Sequence, residues 1–226
     1  MDNTGQNLSL KAKMPDSAAR LPAWVYFLAR FFSYLFHPVF IPTYVMAFLL
    51  FVHPYAYGGM DARTRGLRLF SVFFTTAFFP IFSVFLLWRL RLFTHSMQLK
   101  TSKERIVPYA LTMIFYFWMW HVFNNIGDPR ASVHFFLGNF AAVCLAWFCN
   151  IYFKVSMHSV AAGGLVAFAV LFSFHDNYAS GAYLGIAFLV AGILMTARLL
   201  VSDHNRFEIY SGFFAGVVAM IVGWVF

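Results

Sequence analysis

Residues 197–208 read ARLLVSDHNRFE and lie between two long apolar runs. Within this segment, Arg198, His204, Arg206 and Glu208 are ionisable. Leaving such groups in hydrocarbon costs several kcal/mol each, so beside membrane segments they usually line a site or a water-filled cavity. His204 and Glu208 are four residues apart, so a helix would place the carboxylate where it orients the imidazole and raises its basicity. The alternative is an interfacial loop whose charged side chains reach water and carry no chemistry.

The composition around this segment indicates a polytopic membrane protein. Of 226 residues, 62% are hydrophobic, 21% aromatic and 11% charged, whereas about a quarter are charged in a typical soluble domain. We expect a polar tail at 1–20, without a cleaved signal peptide, and a single domain at 21–226. In a soluble protein the net charge of +8 would suggest nucleic acid. Here it indicates membrane orientation and an anionic substrate, and we expect no nucleic-acid partner.

The apolar runs predict an all-α, polytopic helical bundle with about seven transmembrane segments. A six-helix core is the alternative count, and residues 21–36 are interpreted as a preceding interfacial helix. The seven segments are 39–52, 69–88 with a kink at Pro80, 106–123, 132–153, 155–174, 182–200 and 209–226. In the last of them, the glycine pair Gly212 and Gly216 predicts close helix packing.

Seven crossings would sort the loops into two groups. One side would hold the N-terminal tail and the ionisable loops at 89–105, 154–158 and 198–208; we call it the motif face. The other side would hold the turns rich in glycine, proline and asparagine at 53–68, 124–131 and 175–182. All lysines and arginines lie on the motif face except four, which are Arg63, Arg65, Arg68 and Arg130. This excess places the motif face in the cytoplasm, and the expected location is a bacterial inner membrane.

The motif face holds the side chains that phosphoryl transfer without a metal would need. They are Lys103, Arg105, Lys154, Ser156, His158, Arg198, His204 and Glu208. Arginines can hold the phosphoryl oxygens in forked hydrogen bonds. One imidazole can attack phosphorus and a second can protonate the departing oxygen. A metal site is disfavoured because only three ligands are available and the neighbouring cations would repel a divalent ion; we expect no cofactor.

Three short motifs follow one another on this face. They are KERIVP at 103–108, SMH at 156–158, and a third in which five residues separate Arg198 from His204 and three separate His204 from Glu208. Their order and spacing resemble the motifs of the type 2 phosphatidic acid phosphatase superfamily, over roughly residues 100–216. The layout is similar to the glucose-6-phosphatase branch of that superfamily. Relatives in the superfamily mostly act on the outer or lumenal side, which is opposite to the side that the charge distribution indicates.

The resemblance implies a role for each matching residue. His204 would be the nucleophile that becomes phosphorylated, Glu208 its orienting carboxylate and His158 the acid for the leaving group. The phosphate ligands would be Arg105, Arg198 and Ser156. Gln98 stands where the family has its first-motif lysine. The positive charge that this lysine would supply can come from Lys100, Lys103 or Lys154 instead. The other departures from the family pattern are the three-residue shift of Pro108, Val155 for proline, Met157 for glycine, Ala197 for serine and Glu208 for aspartate.

The expected function is therefore that of an enzyme, a lipid phosphate phosphatase. It would dephosphorylate a membrane lipid phosphate or pyrophosphate through a phosphohistidine, with the bilayer and an anionic phospholipid or isoprenoid phosphate as partners. A lipid phosphotransferase of the same fold and a noncatalytic transporter or scaffold are the alternatives. The sequence leaves the lipid and the oligomeric state open. The other histidines are interpreted as loop or interfacial residues, namely His37, His53, His121, His134 and His175, and His95 lies in the charged loop of the motif face.

Overall fold

The chain forms a bundle of α-helices, seen in a computed structural model that describes residues 22–90, 102–176, 178, 181–202 and 204–226. Within these ranges there is no β-strand. The helices are α1 (Ala23–Leu35), α2 (Ile41–Ala47, continued by a π-helical turn over Phe48–Val52), α3 (Ala62–Phe73), α4 (Phe79–Arg89), α5 (Ser102–Asn125), α6 (Arg130–Tyr152), α7 (Met157–His175), α8 (Gly181–Val201) and α9 (Arg206–Val225). The predicted all-α bundle is confirmed.

Six helices in the described part of the chain are long and apolar enough to cross a membrane. They are Ala62–Arg89, Ile106–Asn125, Arg130–Tyr152, Met157–His175, Gly181–Val201 and Arg206–Val225. The first of these joins α3 to α4 through a π-helical turn over Phe74–Phe78. The protein is therefore an integral membrane protein. The helix predicted before the first crossing is α1, and it packs against α8.

The segment between His37 and His53 connects the two ends of the bundle. The His37 ring lies 5.0 Å from that of His158, at the start of α7. His53 Nε2 lies 2.8 Å from a carboxylate oxygen of Asp176, just beyond the end of α7. The segment therefore runs the length of α7, although its helix Ile41–Val52 is only about 18 Å long. The segment predicted as the first crossing, 39–52, thus contains only a shorter apolar helix, which is not among the six of crossing length in the described part of the chain.

The second crossing begins earlier than the sequence analysis predicted. Its helix starts at Ala62 rather than near 69, because the side chain of Asp61 caps it by accepting a 3.0 Å hydrogen bond from the backbone N–H of Thr64. An aspartate in this position satisfies one of the backbone donors that a helix start leaves unpaired. The predicted loop at 53–68 is therefore wrong in its second half. The irregularity expected at Pro80 takes the form of the π-helical turn directly before it.

Close packing of α9 against α6 and α7 brings the motif-face ends of these helices together. A Cβ atom added to Gly216 would overlap the carbonyl oxygen of Val160 on α7, and one added to Gly223 would overlap the backbone of Gly138 on α6. A Cβ at Gly212 would lie 3.0 Å from the carbonyl oxygen of Ser156. The prediction that Gly212 and Gly216 pack helices is confirmed. The start of α9 consequently lies beside the start of α7.

Polar contacts tie the opposite end of the bundle, which we call the far end. Asp128 accepts a 3.0 Å hydrogen bond from the Tyr57 hydroxyl and forms a 2.9 Å ion pair with Arg68. The Arg65 guanidinium donates to three backbone carbonyls, those of Leu50, Tyr57 and Met60. Removing one partner of such a buried network leaves the others unpaired at a cost of about 1–3 kcal/mol. The far end is therefore held by side chains from several separate segments.

Candidate active site

His204 and Glu208 form a hydrogen-bonded pair at the start of α9. His204 Nδ1 lies 2.8 Å from Glu208 Oε2, with the histidine side chain 9% and the glutamate side chain 15% exposed. Because a carboxylate accepts, the hydrogen on this bond belongs to Nδ1. Such a bond fixes the ring orientation and leaves the Nε2 lone pair of the neutral ring free to act as a nucleophile or base.

A capping box at the same helix start holds the carboxylate in place. The Asn205 side chain accepts a 2.8 Å hydrogen bond from the backbone N–H of Glu208, while the backbone N–H of Asn205 donates to Glu208 Oε2 at 3.2 Å. The pairing expected between His204 and Glu208 is therefore present, although His204 itself precedes the helix. The negative charge also lies in the first turn of α9, where the helix dipole favours it.

His158 enters the same end of the bundle from the start of α7. Its Nε2 lies 3.1 Å from the carbonyl oxygen of Ser33, in the last turn of α1. A carbonyl oxygen can only accept, so the hydrogen is on Nε2. The His37 ring packs edge-on against His158 with 5.0 Å between ring centres. Helix α1 and the turn after it therefore position His158, much as Glu208 positions His204.

The predicted phosphate ligands Ser156, Lys154 and Arg198 lie around these two histidines. The backbone N–H of Ser156 donates to the carbonyl oxygen of Glu208 at 3.3 Å, which joins the start of α7 to the start of α9. The Ser156 hydroxyl is buried without a hydrogen-bond partner among the described residues. Arg198 is in the last turn of α8 and acts electrostatically on both His158 and His204, and Lys154 acts on His204. Two of the three predicted motifs thus meet at one end of the bundle.

The first motif is placed only by its backbone. Residues 103–108 lie in the first turns of α5, which packs antiparallel to α6, so they are at the motif-face end. The side chains of Lys103 and Arg105 lie outside the described residues, as do Gln98, Lys100 and His95. The predicted roles of Lys103 and Arg105 stay predictions.

The surroundings of His204 favour the neutral ring over the protonated one. Burial lowers its pKa below the ordinary value of 6.5, the hydrogen bond to Glu208 opposes that shift, and the positive charges of Lys154 and Arg198 add to it. The net direction is downward. A histidine that attacks phosphorus must carry a lone pair, so this environment keeps the attacking form populated.

His37 belongs to this cluster, although the sequence analysis interpreted it as a loop or interfacial residue. Burial, followed by the positive charge of Arg198, lowers the pKa of His37 to about 4. Its contact with His158 is carried by the turn at residues 37–40, directly after α1. His37 lies just before the predicted first segment, which begins at 39, and that position is the signal in the sequence that it lies near the motif face.

Acid is expected to destabilise the protein through His37. The unfolded chain binds a proton near pH 6.5 and the folded chain near pH 4, so stability is lost as pH falls between these values. From pH 7 to pH 5 this loss is about 2 kcal/mol. His37→Gln should lose correspondingly less stability over that interval, measured by thermal unfolding in detergent. The control His121→Gln changes an exposed histidine and should follow the unchanged protein; equal losses in all three would contradict the assignment.

The remaining described histidines lie toward the far end and make structural contacts. His53 is buried, with its Nδ1 accepting from the backbone N–H of Ala56 at 3.0 Å and its Nε2 bonded to Asp176. The rings of His134 and His175 pack against Trp224. Over the part of the chain that the structure describes, no three side chains from histidine, cysteine, aspartate and glutamate are grouped as metal ligands would be.

Comparisons with known proteins return no match: no family model, no curated protein and no solved structure is similar to this chain.

Proposed function

We propose that the protein is a metal-independent phosphatase of membrane lipid phosphates or pyrophosphates that works through a phosphohistidine at His204. The observation that carries the proposal is the His204–Glu208 pair, with 2.8 Å between Nδ1 and Oε2, at the end of the bundle where His158 and Arg198 also lie. The resemblance of these residues to the type 2 phosphatidic acid phosphatase motifs supports the same reaction.

In the first step, Nε2 of His204 attacks the phosphorus atom of the substrate. A bond forms between Nε2 and phosphorus, and the bond between phosphorus and the lipid oxygen breaks. Glu208 stabilises the positive charge that develops on the ring through the hydrogen bond on Nδ1. The positive charges of Arg198 and Lys154 balance the negative charge of the phosphoryl oxygens. Arg105 and Lys103 are the further predicted ligands.

The leaving oxygen takes its proton from the cationic form of His158, which carries hydrogen on both ring nitrogens and becomes the neutral ring when it donates. Because Nε2 of His158 donates to the carbonyl of Ser33 at 3.1 Å, Nδ1 of the cationic ring is the nitrogen that would donate to the substrate oxygen. In the second step, His158 accepts a proton from water, the water oxygen bonds to phosphorus, and the bond between phosphorus and His204 breaks to release phosphate. Each histidine then returns to its starting protonation state.

A lipid phosphate fits this position because the cluster lies at one end of a helical bundle of membrane-crossing length. An anionic head at the membrane surface would meet the cations there while its chains stay in hydrocarbon. The distribution of lysine and arginine supports a cytoplasmic position for the motif face. We therefore expect the enzyme to act on lipids of the cytoplasmic leaflet.

Trapping the covalent intermediate tests the proposal. The purified protein is incubated briefly with a lipid phosphate carrying ³²P in its terminal phosphoryl group and is quenched in alkali, in which phosphohistidine survives. We expect label on the protein that is stable in alkali and lost in acid, and its absence from His204→Ala. His121→Ala, which removes an exposed histidine elsewhere, should label normally. A labelled His204→Ala protein would contradict the assignment, and absence of label from every variant and every lipid class would favour a noncatalytic role.

A further inference from the structure

An apolar groove runs along the bundle between α2, α7 and α8. It encloses a cavity of about 260 Å³. On α7 its floor is formed at helical spacing by Leu165, Phe168, Ala169 and Phe172. Its two walls come from Ile41, Tyr44, Val45 and Phe48 on one side and from Tyr183, Leu184, Ala187 and Val190 on the other. With so few polar groups, the cavity offers poor hydrogen bonding to water.

One end of the groove lies on the side of the candidate active site. Phe36 lines the groove and is followed in the chain by His37, whose ring contacts His158. The Tyr44 hydroxyl donates a 2.8 Å hydrogen bond to the carbonyl oxygen of Leu35, which holds this wall of the groove against the end of α1. The apolar cavity thus extends toward the end of the bundle that holds the positively charged cluster.

The other end is closed by polar contacts at the far end of the bundle. Asp176 and Tyr178 line the groove there, and Asp176 is bonded to His53 at 2.8 Å. From Leu165 to Asp176 the groove follows α7 for about 16 Å. A chain lying in it would therefore have a limited length before it met these groups.

The groove also opens sideways at the surface of the helical bundle. Tyr44 is 41% and Ile186 57% exposed, whereas Val45, Phe168 and Ala187 are buried. An opening at this depth faces the hydrocarbon of the bilayer. A lipid can therefore enter from the side without its chain passing through water.

We propose that this groove binds one hydrocarbon chain of the phosphorylated lipid whose head group lies at His204, and that its closed end limits the chain length. The inference rests on the proposed phosphatase function. Charge complementarity selects an anionic amphiphile as the occupant, because the groove is apolar and Arg198 and Lys154 lie farther along the bundle, at its motif-face end. Each methylene buried there contributes to binding, so substrates with short chains bind less tightly.

Filling the groove should select against long chains. Ala187→Phe places a ring in the cavity, and Ala182→Phe makes the same change at an exposed residue of α8 that does not line the cavity. Phosphate release is measured on alkyl phosphates of increasing chain length in detergent. For Ala187→Phe we expect the ratio of long-chain to short-chain kcat/KM to fall about tenfold, with no change in this ratio for Ala182→Phe. Phe172→Ala, which enlarges the groove, should shift the preference toward longer chains.

Crosslinking separates failure of the groove from failure of the phosphatase. A long-chain alkyl phosphate with a diazirine at the chain end is photolysed with the His204→Ala protein, and the labelled peptides are identified. Label on residues 168–178 that is competed by unlabelled alkyl phosphate and not by diacylglycerol supports the groove, even if no lipid is hydrolysed. Label elsewhere, equal competition by diacylglycerol, or an unchanged chain-length ratio in Ala187→Phe would overturn the proposal.

Discussion

His204→Ala is expected to lower phosphate release by about four orders of magnitude or more, because it removes the atom that bonds to phosphorus. The protein should remain folded, since the His204 side chain lies outside the helices and its hydrogen bond at Nδ1 goes only to Glu208, which the capping box also holds. Steady-state release from a lipid phosphate in detergent measures the effect. His121→Ala is the control and should retain activity; near-normal release by His204→Ala would exclude it as the nucleophile.

Glu208→Gln is expected to lose less activity than His204→Ala and to shift the pH dependence of that activity. The amide cannot stabilise the charged ring, so activity should fall roughly 10- to 100-fold. Glu208 holds the pKa of His204 up against burial and the nearby cations, so removing its charge lowers that pKa further. The acid limb of the pH profile should therefore move to lower pH. Lys154→Met removes a cation that lowers the same pKa and should move the limb the other way; identical profiles would contradict both assignments.

Gly216→Ala is expected to destabilise the bundle by about 3 kcal/mol. The new methyl group would overlap the backbone carbonyl of Val160, and because this neighbour is backbone, α7 and α9 must move apart. Gly192→Ala is a matched change in α8, where a Cβ has no atom within 4 Å, and alanine is favoured over glycine in a helix by about 1 kcal/mol. The two variants should therefore shift thermal unfolding in detergent in opposite directions.

The same experiment tests how packing supports the site. Separating α9 from α7 would also separate His204 from His158, so Gly216→Ala should lose phosphate release even at temperatures where it remains folded. If Gly216→Ala proved as stable and as active as Gly192→Ala, the close approach of α7 and α9 would not be needed for either property.

Much of the architecture could be predicted because a helix that crosses the bilayer needs a long stretch of consecutive apolar residues, which is visible in the sequence. The apolar runs that form α5 to α9 are each about as long as a helix needs to be to cross the hydrocarbon. Counting these runs then predicted on which side of the membrane each loop lies. The start of α3 was missed because polar residues from Asp61 to Arg68 suggested a loop. The signal overlooked was local, an aspartate that caps the helix by accepting from the third residue after it.

The site could be predicted in part for a similar reason. His204 and Glu208 are four residues apart, so local geometry alone brought them together, and the shared membrane side brought in His158. His37 was missed because its place depends on how α1 and the turn after it pack against α7. Contacts of this kind join residues more than a hundred positions apart, and neither helical periodicity nor residue spacing carries information about them.

The length of the chain between His37 and His53 is fixed by its two attachments, one at each end of α7. Deleting a single residue from the helix Ile41–Val52 would shorten it by about 1.5 Å and turn its end by about 100°. One of the two contacts would then be lost, either that of His37 with His158 or that of His53 with Asp176. Homologues should therefore exclude insertions and deletions from this stretch, so that these two histidines keep a constant interval.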